Sequence, residues 1–169
     1  MKRHLFLVLV SSGLAASCAH SDAVPVTATP GYELTVKREV EATIRDFFDG
    51  FSKATCTDGR PVAQYFRDPT TFVLTDDIYE LPGDEAEKGV RDRACTWKRH
   101  DGVVKSVVVE PLSANAAIAA WTYRDDILLN SGEVRNTNGA TLMTLTKSSG
   151  RWLITSAKTT ETIETAAKK

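Results

Sequence analysis

The chain is poor in the residues from which many catalytic and metal sites are built. It has three histidines in 169 residues, His4, His20 and His100, and they stand far apart. No histidine cluster is therefore offered to a metal. The three cysteines, Cys18, Cys56 and Cys95, have no second ligand-type residue at finger spacing, which speaks against zinc. No Ser-His-Asp order of the hydrolase kind, no GxSxG and no glycine-rich phosphate loop is present. No resident cofactor is expected. Neither charge dominates: 21 Lys and Arg stand against 22 Asp and Glu, a net of −1. Without a basic stripe, nucleic acid is not an expected partner. There is no internal repeat, and no apolar run long enough to span a bilayer as a mature helix.

The chain does have a patterned beginning. Lys2 and Arg3 precede the apolar run Leu5-Phe6-Leu7-Val8-Leu9-Val10, then the small residues Gly13-Leu14-Ala15-Ala16-Ser17, then Cys18. Basic end, short apolar core and small-residue site are the order of a secretory signal over residues 1–17. With a cysteine directly after Ala15-Ala16-Ser17, it resembles a bacterial lipoprotein signal, in which the cysteine is lipidated and becomes the new N-terminus. Leu14 stands one place further out than the commonest form of that signal. The alternative is ordinary cleavage, after Ala16 or Ala23, which releases a soluble periplasmic protein. Ala19, in place of an aspartate, favours the outer membrane by the same resemblance. Residues 18–31 then read as the lipidated cysteine and a flexible tether rich in Ala, Pro and Thr. In an oxidising compartment Cys56 and Cys95 are an even pair, expected to form a disulfide. The other reading is two unpaired buried thiols.

Beyond the tether, helical periodicity comes first. Val36, Val40, Ile44, Phe47, Phe48 and Phe51 make one apolar stripe over residues 35–54, with Thr35 as the expected cap. A short helical turn is expected over residues 60–66, broken by Asp68-Pro69. A strand is expected over residues 70–75, and a loop from Asp76-Asp77 to Pro82-Gly83. A second helix is expected over residues 84–98, its stripe Ala86, Val90, Ala94 and Trp97, ended by His100-Asp101-Gly102. Strands are then expected over residues 103–110, 116–129, 133–146 and 151–160. They are joined by short turns as an antiparallel meander. Asn138-Gly139 inside a long strand predicts a bulge that bends the sheet. The end, residues 164–169, reads as a frayed tail.

Four pieces carry a family likeness: Tyr65-Phe66-Arg67-Asp68; Ala116-Ala117-Ile118-Ala119-Ala120-Trp121-Thr122-Tyr123; Asn138-Gly139-Ala140-Thr141-Leu142-Met143; and Ser149-Gly150-Arg151-Trp152-Leu153-Ile154. In this order the chain resembles the nuclear transport factor 2-like, or cone-fold, superfamily, in its SnoaL-like branch. The resemblance implies an α+β domain over residues 32–163, a curved antiparallel sheet wrapped around N-terminal helices. It also implies a choice of roles, since the family includes isomerases, cyclases, dehydratases, binding domains and assembly subunits.

Ketosteroid isomerase has this fold and uses an Asp base with a Tyr and a protonated Asp. The base would fall near Asp76. The protonated acid would fall near Leu142-Met143, which are apolar and count against that chemistry. His100 is a second candidate base. Its other reading is a surface histidine at a helix C-terminus. Tyr123 is the candidate hydrogen-bond donor. Trp121, Tyr123 and Trp152, with Phe47 and Phe51, either line a pocket for a flat apolar ligand or form ordinary core. Asp125 and Asp126 adjoin on one strand, so at most one faces inward. The expected function is a periplasm-facing lipoprotein domain that binds a small apolar molecule or a protein partner, including a second copy of itself. The alternative is a small isomerase, cyclase or dehydratase.

Overall fold

The computed structural model describes residues 31–73 and 77–165. The signal, nearly all of the tether with Cys18, the candidate base Asp76 and residues 166–169 lie outside the described residues. The elements are α1 (Tyr32–Lys53), α2 (Arg60–Ala63), β1 (Phe66–Val73), β2 (Ile78–Leu81), α3 (Gly83–Ala94), β3 (Trp97–Ser113), β4 (Ala116–Leu129), β5 (Val134–Ser148) and β6 (Arg151–Thr165). The strands form one sheet in the order β2-β1-β6-β5-β4-β3. The sheet is mixed: β1 lies parallel to β6, and the other pairs are antiparallel. The meander from β3 to β6 follows from its short turns. One parallel pair, β1 beside β6, joins the expected antiparallel meander to the β1–β2 hairpin.

α1 forms because its apolar residues recur every three to four positions. Val36, Val40, Ile44, Phe47 and Phe48 are all buried against the sheet. The cap differs from expectation. Gly31 precedes the helix with φ 109°, a left-handed conformation open to glycine. Thr35 lies a turn inside and returns its hydroxyl to the Gly31 carbonyl at 3.3 Å.

α3 stops at Ala94, four residues before the expected end, and Trp97 already begins β3. The corner is held from the sheet side: the Asn130 amide donates to the Cys95 carbonyl at 2.7 Å and the Asn130 backbone N–H to Thr96 at 2.9 Å. His100, Asp101 and Gly102 are therefore strand residues and end no helix.

Three further expectations are corrected. Residues 78–81, read as loop, pair with β1. Asp68-Pro69 lies inside β1, where the β1–β6 register shifts between Phe66 and Thr71 and the β2 ladder has not begun. A proline there removes no ladder bond. Asn138-Gly139 carries no bulge, since the β4–β5 register is continuous through both. In the meander the irregularities fall instead at Trp97–Arg99, Val104–Ser106 and Pro111–Ser113 of β3 and at Thr144–Leu145 of β5. β6 also runs past residue 160, with Thr165 opposite Arg135.

The core sits between α1 and the concave face of the sheet. Val36, Val40, Ile44, Phe47 and Phe48 of α1 meet Val104 and Val109 of β3, Ala117, Ala119, Trp121 and Tyr123 of β4, Met143 and Leu145 of β5, and Trp152, Ile154 and Ala157 of β6.

Candidate functional site

Strand alternation decides which side chains enter the cone. On β4 the buried residues Ala117, Ala119, Trp121 and Tyr123 alternate with Ile118, Ala120 and Thr122. Asp125 continues the inward set. Asp126 points out and holds Arg124 at 3.1 Å. On β3 His100 is buried, and its Nε2 lies 3.1 Å from Asp125 Oδ1. Their side chains are 4% and 13% exposed. The two are in contact without an aligned hydrogen bond: His100 Nδ1 and Asp125 Oδ1 both lack a partner, as does Trp121 Nε1. Trp97 stacks on the imidazole at 4.8 Å between centroids, and Phe51 and Phe48 approach it at 6.0 and 6.2 Å.

One row further along the concave face, Tyr123, Gly139 and Glu161 are register partners across β4, β5 and β6. The Tyr123 ring lies over Gly139, where a Cβ would overlap it. Its hydroxyl passes across the glycine and donates to Glu161 Oε1 at 2.5 Å. Burial first, and then that bond to a carboxylate, push the phenol far above its usual value of 10.0.

The cone itself is filled. Phe47 meets Phe51, Tyr65, Phe66 and Trp121 edge to face, and Phe48 meets Trp121 in the same way. Phe47, Trp121, Tyr123 and Trp152 are all at most 6% exposed. They pack against one another as core, and Phe51 lies at the edge of that core. Two shallow concavities among the described residues lie outside it. One, of about 360 Å³, is on the outer face of the sheet, over Ala120 and Ala140 between Val108 and Leu142. The other, of about 340 Å³, lies where Glu39 and Tyr65 meet Arg151 and Trp152. There Glu39 Oε2 accepts from Lys147 Nζ at 2.7 Å and Trp152 Nε1 at 2.8 Å. These two bonds hold its carboxyl below the usual range, Lys147 contributing most.

On the outer face Val108, Ala120, Leu142 and Lys158 form one row across β3, β4, β5 and β6. Val108 is 69% and Leu142 52% exposed. Just beyond the ends of α1 and α3, Cys56 is joined to Cys95, with Cα atoms 4.5 Å apart. No group of three His, Cys, Asp or Glu side chains among the described residues is placed to hold a metal ion. No helix among them is long and apolar enough to cross a membrane.

Of the residues singled out in the sequence, His100 and Tyr123 enter the concave face in neighbouring rows. The surface position for His100 is overturned, because β3 begins at Trp97 and turns it inward. Asp125, the partner of His100, was marked only as one of two adjacent aspartates of which at most one faces inward, and Glu161, the partner of Tyr123, was not singled out. Alternation places Asp125 on the Tyr123 side, but the β3–β4 register that sets it beside His100 leaves no local signal. Glu161 lay in a stretch read as beyond the last strand.

No protein-family model matches the chain, and no curated protein matches its sequence. Solved structures do resemble it. The LinA-type3 hexachlorocyclohexane dehydrochlorinase of Novosphingobium barchaimii superposes with a TM-score of 0.63 at 12% identity, covering 79% of this chain and 92% of that one. A nuclear transport factor 2-like superfamily protein of Salmonella enterica serovar Typhimurium gives 0.61 at 19% identity, over 80% and 94%. The association domain of C. elegans CaMKII gives 0.60 at 16% identity, over 76% and 97%. The chain thus has the nuclear transport factor 2-like fold, with N-terminal helices packed on a mixed six-stranded sheet. That fold carries an enzyme in one neighbour and an association domain in another.

Proposed function

We propose that this chain is a non-catalytic assembly domain of the SnoaL-like branch, tethered by a lipid on Cys18 to the periplasmic side of a bacterial outer membrane. Its working surface is the outer face of the sheet, and its first partner is a second copy of the chain. The filled cone carries this reading: the space in which a ligand would sit is occupied by Phe47, Phe48, Trp121 and Tyr123. The outer face, by contrast, exposes Val108 and Leu142 on either side of small Ala120. Apolar side chains set at the middle of a sheet face are stabilised when a second surface removes them from water, by about 25 cal/mol per Å² buried. Two such faces pack about 10 Å apart, close enough for Val108 and Leu142 of one copy to enter the hollow over Ala120 and Ala140 of the other. The test is the oligomeric state of the chain and of Leu142→Lys. A dimer that the substitution converts to monomer supports the reading, and a dimer indifferent to it rejects this face. The anchor is tested separately by acyl labelling in a bacterial host, where Cys18→Ala should abolish incorporation.

A second reading rests on the contact of His100 with Asp125. A carboxylate beside an imidazole is a proton-accepting pair, and Tyr123 would supply a hydrogen bond one row away. This is the isomerase, cyclase or dehydratase alternative, with Asp76 as the other candidate base. Against it stands the lack of room, since Trp97, Phe48 and Phe51 enclose the imidazole.

A further inference from the structure

We propose that the Cys56–Cys95 disulfide is a latch, reducible by a dithiol, that holds an aromatic lid over the His100–Asp125 pair. Phe51 lies on the last turn of α1, five residues before Cys56. Trp97 lies two residues after Cys95. The disulfide therefore joins the two segments that carry the lid, and it does so where their rings meet, 6.3 Å apart between centroids. Both rings face His100, Trp97 stacked and Phe51 tilted. Both cysteines are exposed, so a thiolate has access to the bond.

The closed state is not satisfied within itself. His100 Nδ1 and Asp125 Oδ1 are buried without hydrogen-bond partners. A buried polar atom left unpaired disfavours the state that buries it, and water admitted to the pair would satisfy both. The covalent link therefore holds shut an arrangement that hydration favours opening.

The motion is confined to one side. Asn130 ties Cys95 and Thr96 to the sheet through its side chain and its backbone N–H, independently of the disulfide. Once the bond is cut, residues 51–60 are the part released. In the exchange a thiolate of the dithiol attacks one Sγ, and the other cysteine leaves as thiolate. The dithiol's second sulfur then resolves the mixed disulfide. Two electrons pass to the cystine, and the two new thiolates take up protons from solvent. Opened, the imidazole and its carboxylate face water as a proton-accepting pair.

The test is the rate at which diethyl pyrocarbonate modifies His100 in the full chain, read from the mass of its peptide, with N-acetylhistidine in the same tube as reference. Oxidised protein, protein treated with dithiothreitol and the Cys56→Ser/Cys95→Ser variant are compared, with amide exchange followed in parallel. The expected result is a rate at least tenfold higher on reduction, reversed on reoxidation and constitutive in the variant. Exchange should rise more in residues 51–60 than in β4, β5 and β6, which lose protection only as far as the lower global stability dictates. Equal rates in the two redox states overturn the proposal. So does a rise in the His100 rate no larger than the rise in exchange across β4, β5 and β6, because His100 would then be reached by global unfolding and no lid.

Discussion

Tyr123 and Gly139 form a pair in which each explains the other. The ring fills the place of the missing Cβ, and the hydroxyl reaches Glu161 only by crossing it. Gly139→Ala should therefore destabilise the fold by about 1–3 kcal/mol, the usual range for overpacking a core, measured by urea unfolding. Tyr123→Leu in the same chain should recover part of that loss, and strict additivity of the two changes would contradict the account. The phenol also gives a pH signature. Its folded pKa is raised by burial and by Glu161. A group with a raised folded value contributes stability that is full below its unfolded value, near 10, and is lost as pH rises beyond it. In an absorbance titration of the four tyrosines, Tyr123 should ionise only together with unfolding. A phenol ionising near 10 in the folded chain, and absent in Tyr123→Phe, would refute this. The sequence marked Tyr123 and Gly139 separately, one as a donor and one as a bulge. The glycine's reason is the residue opposite it, and that depends on register, which neither residue's neighbours reveal.

At the scale of elements, the long amphipathic helix and the four long strands were legible because each has a period and a turn to end it. The features missed are those set by a partner and by no local period. β2 has four residues, too few for a period, and exists by pairing with its neighbour β1. The end of α3 is set by Asn130, thirty-five residues beyond Cys95. His100 was misplaced for this reason, and its contact with Asp125 was hidden with it. Two ties between elements can be measured. Glu39 on α1 holds Lys147 of β5 and Trp152 of β6. Because its folded pKa is lowered from 4.5, its contribution is present above that value and is lost as pH falls through the lower one. The stability gap between the chain and Glu39→Gln should thus be full at neutral pH and narrow in acid, and a gap independent of pH would contradict this. The disulfide spans a separation of 39 residues. In the chain-entropy account, Cys56→Ser/Cys95→Ser should lower stability by about 3–4 kcal/mol, read from urea midpoints.

For the whole molecule the question is which surface works. The fold itself leaves that open, since it is found in a dehydrochlorinase and in an association domain alike. The proposed reading rests on volume. The inward aromatics that the sequence offered as either pocket or core are packed as core, while Val108 and Leu142 stand exposed on the outer face. That face was not marked in the sequence, because Val108 and Leu142 flank Ala120 only through the register of three strands. The most direct test is native mass spectrometry of the chain purified in mild detergent, beside Leu142→Lys. The account predicts a dimer with no retained small mass, and a monomer for the substituted chain. A monomer carrying a small molecule would contradict it and return the function to the interior of the cone.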